Sequence, residues 1–143
     1  MQDSKRALCL DVGEKRIGLG ISDPLGRLAT PYSAIVRRDQ QRDIEAVLKV
    51  VREEEIALLI VGMPWSLDGS VGPQAERTLA FCRALEAASP VPVATWDERY
   101  SSVEAENRLI EAGVSPSRNR ARVDASAAAV ILQAYLDARR AEG

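Results

Sequence analysis

Three acidic side chains stand where solvated carboxylates are not expected. Asp11 interrupts the apolar run ALCLDV from Ala7 to Val12, which reads as a buried strand. Glu98, with Asp97 before it, follows the apolar run that ends at Trp96, and Asp124 opens the last helical segment, directly before a small-residue stretch. Strand ends and helix starts are where an open sheet assembles a site. Each residue also has a plainer reading. Asp11 can cap a turn, Glu98 can pair with Arg99, and Asp124 can serve as an N-cap. Taken together, the three can converge on one cleft, where unpaired carboxylates repel and raise one another's pKa. A divalent cation removes that conflict, and oxygen-only ligands favour Mg2+ or Mn2+. Such a site suits phosphodiester hydrolysis: one ion activates water and a second, about 3.5–4 Å away, stabilises the leaving oxygen, so two ions are expected with substrate bound. Lys15, Arg16 and Arg99 lie beside these residues and can neutralise phosphate charge, or act as ordinary surface charge. Asp97 should point away from Glu98 on an extended segment and is read as structural.

Composition narrows the alternatives. The 143-residue chain contains no histidine and two cysteines, Cys9 and Cys82, both in apolar contexts. Ser-His-Asp and Cys-His catalysis and the usual zinc sites are thereby excluded. Hydrophobic residues make up 46% and charged residues 28%, as in a globular chain of one domain spanning 1–143. The net charge of -2 argues against broad coating of nucleic acid, while local basic patches can still bind phosphate. The polar start lacks a signal core, and no apolar run nears the ~20 residues of a spanning helix, so a cytoplasmic protein with no membrane partner is expected.

The elements that must position the carboxylates follow from periodicity. Strands over 7–12 and 16–21 flank the short turn Gly13-Glu14-Lys15 and form a hairpin. A third strand over 28–36 carries Pro31, which assigns it to an edge or a bulge. Residues 39–54 have helical spacing at Ile44, Val47, Leu48 and Val51, with Asp39 as N-cap. Buried strands are expected over 56–61 and 91–96, and helices over 74–88, 102–111 and 123–140, with Gly113 as a stop. The result is an α/β fold: a mixed five-stranded sheet, antiparallel in strands one to three and then parallel through crossovers, flanked by helices.

Two connections add candidates. The loop from Gly62 to Gly72 holds three glycines whose amides can cradle phosphate, and Trp65 within it can stack on a base or simply pack. The segment Val114–Arg122 carries Arg118, Arg120 and Arg122 without an acid and reads as a phosphate clamp or a solvated linker.

These residues resemble a known family. Asp11-Val12-Gly13 with Lys15-Arg16-Ile17-Gly18 is similar to the opening motif of the YqgF family, described as Holliday-junction resolvase-like proteins and pre-16S ribosomal RNA nucleases. Val61-Gly62-Met63-Pro64 with Asp68-Gly69-Ser70 resembles its central loop, and Asp97-Glu98-Arg99 its third motif. Val123-Asp124, Ser126-Ala127-Ala128, Ile131-Leu132-Gln133 and Tyr135-Leu136 resemble its final helix, so the likeness runs from Leu8 to about Leu136. It implies a ribonuclease-H-like fold, divalent-metal dependence and a nucleic-acid substrate, and it carries catalytic and metal-binding roles onto Asp11, Glu98 and Asp124. Tyr100-Ser101-Ser102 departs from the family's hydrophobic residue and two threonines, which bears on local phosphate contacts. The RNA assignment, to the 5′ end of the 16S ribosomal RNA precursor, comes from the resemblance alone. The second reading is resolution of four-way, branched DNA, which needs a homodimer where RNA cleavage can be monomeric. Two further readings are weaker. Actin-like ATPases share Asp-x-Gly but need two such domains, and a non-catalytic nucleic-acid-binding module would not need all three carboxylates.

Overall fold

The computed structural model describes residues 4–66, 68–100 and 120–142, with backbone only at 120–122 and 142. The helix expected over 102–111, Ser101, Ser102 and Arg118 lie outside the described residues. Along the chain come β1 (Ala7–Val12), β2 (Arg16–Ser22), β3 (Ala29–Val36), α1 (Gln40–Glu53), β4 (Leu58–Met63), α2 (Pro73–Ala88), β5 (Val93–Asp97), a 3-10 turn (Glu98–Tyr100) and α3 (Arg120–Glu142). The five strands form one sheet in the order β3-β2-β1-β4-β5. β1 pairs antiparallel with β2, β2 antiparallel with β3, and β1, β4 and β5 run parallel. The mixed sheet expected from the sequence is the sheet observed. Pro31 lies in the edge strand β3, opposite Gly20, where the register shifts.

Alternation along the central strands builds two cores. Leu8, Leu10 and Val12 join Ile17, Leu19, Ile21, Leu59, Val61 and Met63 beneath α1 and α2. Ala7, Cys9 and Ile60 face the other way, against Ala129, Ile131, Leu132 and Tyr135 of α3. Asp11 continues the parity of Ala7 and Cys9, so it belongs to the α3 side of the sheet.

Helix ends explain where the boundaries differ from those expected. Asp39 caps α1 by accepting from the Arg42 amide at 2.9 Å. At its other end Ile56 donates to the Val51 carbonyl at 3.0 Å and Glu55 adopts a φ of 53°. This is a Schellman termination with a glutamate in the left-handed position. Ile56 is used in that cap, so β4 begins at Leu58 rather than at 56 and continues to Met63, opposite Asp97. Gly62 is therefore a strand residue, and the following loop covers 64–72 only.

The last helix starts at Arg120, three residues ahead of the expected Val123. Alanine and arginine are strong helix formers, and their polar, basic sequence had the look of a linker. Asp124 consequently sits in the second turn of α3 and is not its N-cap. α3 lies close on β2: a Cβ built on Gly20 would stand 2.7 Å from the Ala129 amide nitrogen. Buried Gln133 fixes the helix to the start of β3, accepting from the Ala29 amide at 2.9 Å.

Candidate active site

The end of β1 is held from two directions. Gln74 of α2 donates to the Val12 carbonyl at 3.1 Å, and Arg37 donates to the Gly13 carbonyl at 3.0 Å. Arg37 is itself fixed by buried Asp43 at 3.2 Å and lies over the Phe81 ring at 5.4 Å. Asp11 is thus presented from a rigid strand end.

Glu98 arrives from the far side of β4. Its 3-10 turn is pinned on one flank by Trp96, which meets Tyr100 and Tyr135 edge-on at centroid distances of 5.8 and 5.6 Å. On the other flank Arg99 donates from Nε to both Asp97 carboxylate oxygens, at 3.0 and 2.9 Å, and from a terminal nitrogen to the Ser66 carbonyl at 3.3 Å. The ion pair here joins Arg99 to Asp97, as the structural reading of Asp97 requires, and Arg99 holds the Asp97 carboxyl below its ordinary range. Glu98 is left to reach Asp11, and the two carboxyls share a hydrogen bond.

Electrostatics ties the two carboxyls together. Burial, then the negative charge of Asp11, then the shared hydrogen bond push Glu98 up to about 8. Asp11 is also raised, first by burial and further by the charge of Asp124, while the hydrogen bond from Glu98 works in the opposite direction. The pair therefore holds one proton between its two carboxyls at neutral pH, with Glu98 the more strongly raised of the two. Cys9, on the same face, is pushed well above the ordinary thiol range by burial and by both carboxyls, and stays an unreactive thiol.

Asp124 completes the group from α3. It is near enough to Asp11 to act on its charge, and its Oδ2 accepts from Arg16 Nε at 2.6 Å. Among the described residues no three acidic or thiol side chains close into a ready cage for an ion. Two carboxyls meet each other, and the third is drawn to a guanidinium. One proton and one guanidinium thus do the neutralising that two positive charges on a single ion would do. The oxygen-only donor set suits a hard divalent cation.

The other expected contacts fall unevenly. Lys15 is exposed, and its carbonyl accepts from the Arg37 amide at 2.9 Å. Trp65 is half-buried, with part of its side chain against the core beneath α1 and α2. Arg120 and Arg122 lie in the first turn of α3 rather than in a linker. Among the described residues of 62–72 the expected phosphate cradle is not formed in this conformation. Gly62 belongs to β4, and the Ser66, Gly69 and Ser70 amides are already bonded within the loop at 3.1, 2.8 and 2.9 Å. Sequence reasoning missed the pairing of Arg16 with Asp124, since nothing in residue order brings positions 108 apart together. It also missed the glycines beside Asp11, although the large-small alternation of RIGLGIS was a visible signal.

The fold recurs in solved structures. One is RuvC of Thermus thermophilus in complex with a Holliday junction substrate, with a TM-score of 0.64 at 17% identity over 96% of both chains. Another is the Fowlpox virus resolvase with Holliday junction DNA, with a TM-score of 0.56 at 10% identity over 94% of this chain and 98% of that one. These likenesses define the class by fold, a ribonuclease-H-like domain. Sequence relatives are much nearer. A protein of Anaeromyxobacter sp. (strain K) is 46% identical over 134 residues, 94% of this chain and 98% of the relative. One of Symbiobacterium thermophilum is 47% identical over 132 residues, 92% of both chains. Both bear the description "Putative pre-16S rRNA nuclease". Residues 5–138 match the model of the RuvX family, described as Holliday junction resolvase, and the chain belongs to that family. Membership makes it a phosphodiester hydrolase acting on nucleic acid.

Proposed function

We propose that this chain is a divalent-metal-dependent ribonuclease that processes the 5′ end of the 16S ribosomal RNA precursor in the cytoplasm, with Asp11, Glu98 and Asp124 as its metal-binding and catalytic carboxylates. The observation that carries the site is the contact between Asp11 and Glu98 over the central strands with Asp124 beside them. Three acids at a strand end are costly to hold together unless a cation is their partner. The RNA assignment rests on the description borne by relatives of nearly equal length. Among the described residues no helix is long and apolar enough to cross a membrane, in keeping with that location.

Asp11, Glu98 and Asp124 would hold Mg2+ or Mn2+. Such ions, two of them with substrate bound, lower the pKa of bound water and stabilise the leaving oxygen. The chain's own groups set the conditions. Glu98 must release its proton before its carboxylate can ligate, so binding competes with protons below about pH 8. Asp11, fixed at a strand end, provides the invariant point of the site. Arg16 balances the charge of Asp124 and, with Lys15, stands where phosphate oxygens would approach. Arg99, Arg118, Arg120, Arg122 and Trp65 complete the proposed nucleic-acid surface.

A second reading, cleavage of four-way DNA junctions, is favoured by the family's description and by the junction complexes among its structural neighbours. It requires two sites in a dimer. One preparation decides between them when offered a 5′-extended 16S precursor and a synthetic four-way junction in Mn2+. Cleavage of the precursor with the junction intact is expected; cleavage of the junction alone would reverse the assignment.

A further inference from the structure

We propose that Gly62 and Gly18, which flank Asp11 on the two neighbouring strands, are positioning residues that keep open the spaces through which Glu98 and Asp124 reach it. The proposal rests on the catalytic reading above.

Gly18 is the direct partner of Asp11 across β1 and β2. Gly62 follows Val61, whose partner on β1 is Leu10, so it stands beside Asp11 on the other side. Both face α3, because their neighbours Ile17, Leu19, Val61 and Met63 fill the opposite core. A Cβ at Gly62 would lie 3.1 Å from Glu98 Oε1, 3.2 Å from Glu98 Cγ and 3.1 Å from Ile131 Cδ1. A Cβ at Gly18 would lie 2.1 Å from the Asp124 carbonyl oxygen and 3.1 Å from the Asp124 Cβ. Among the described residues the positive-φ glycines are Gly26 and Gly69, so backbone conformation does not require glycine at either site. Glycine weakens a strand interior, and in strands it marks close approach of another group. On one side of Asp11 that group is the α3 backbone carrying Asp124; on the other it is the Glu98 side chain.

The two positions differ in what a methyl would displace. At Gly18 it meets backbone, which cannot swing aside, and the helix must lift from the sheet. Gly20 has a similar relation to Ala129, so close packing alone would account for Gly18. At Gly62 it meets the end of a flexible side chain and one methyl group. The fold can absorb this by moving Glu98 a few tenths of an ångström, which makes Gly62 the discriminating position.

The test compares wild type, Gly62→Ala, Glu98→Asp and the double variant of the full chain. Its readouts are Mn2+ affinity by calorimetry, single-turnover cleavage of a substrate that wild type cuts, and melting temperature. Gly62→Ala should fold, bind Mn2+ several-fold more weakly and cleave about tenfold more slowly, since small misplacements at a reacting centre are costly. Aspartate is one methylene shorter and withdraws from the added methyl. The double variant should therefore be no worse than Glu98→Asp alone. Gly62→Ala matching wild type in both affinity and rate would overturn the proposal, as would losses that simply multiply in the double variant or a Gly62→Ala chain that does not fold. Wild type that binds Mn2+ but cuts nothing would instead count against the nuclease reading, and the calorimetric comparison would still decide the role of Gly62.

Discussion

At the scale of single residues, the site is a problem of charge. Two carboxyls share one proton, and a third leans on a guanidinium. Asp11 was legible because an acid inside ALCLDV has no solvent to face. Glu98 was separable from Asp97 only by the alternation of an extended segment, and the Arg99–Asp97 pair agrees with that separation. The Arg16–Asp124 pair was not legible, because it is made by tertiary folding. Raising Glu98 from 4.5 to about 8 has a sign that can be measured. Across that range the folded, metal-free chain holds a proton that the unfolded chain has released, so stability falls as pH rises through it and levels off above. Melting temperatures without metal should decline from about pH 5 to 8, and Glu98→Gln should flatten that part of the profile. At pH 8, Mn2+ should raise the melting temperature of wild type, since it binds only the folded site.

At the scale of elements, the boundaries moved where caps and propensity outweighed pattern. α1 ends in a Schellman turn that takes up Ile56, which shifts β4 two residues along and brings Gly62 into the strand beside the site. α3 begins upstream because its arginines and alanine extend the helix, and this places Asp124 on the helix's sheet-facing side instead of at a cap. Periodicity located both elements, but it could not distinguish an apolar residue in a helix termination from one in a strand. Glu55, at φ 53°, occupies a position that glycine fills without strain. Glu55→Gly should therefore stabilise the chain by about 0.5–1 kcal/mol, seen as a rise of roughly 2–4 °C in melting temperature, with cleavage unchanged. A fall in melting temperature would show that the Glu55 side chain contributes more than its backbone costs.

At the scale of the whole molecule, the central strands are covered on both faces, and the carboxylates gather on one of them, where α3 crosses a sheet kept low by glycine. The order of strands and helices was readable from hydrophobic pattern, and the lack of histidine left oxygen-bound metal as the natural chemistry. The convergence of three distant segments was only an expectation until the sheet order β3-β2-β1-β4-β5 brought β1 beside β4 and β4 beside β5. The choice of RNA over junction DNA came from relatives, because the site chemistry serves both. The central claim is that Asp11, Glu98 and Asp124 form a metal-dependent cleavage centre. Its most direct test is single-turnover cleavage of the 16S precursor in Mn2+ by wild type and Asp11→Asn, matched for melting temperature. A loss of at least ~1,000-fold in the variant is expected, the scale on which removal of a catalytic group acts; cleavage at the wild-type rate would contradict the account.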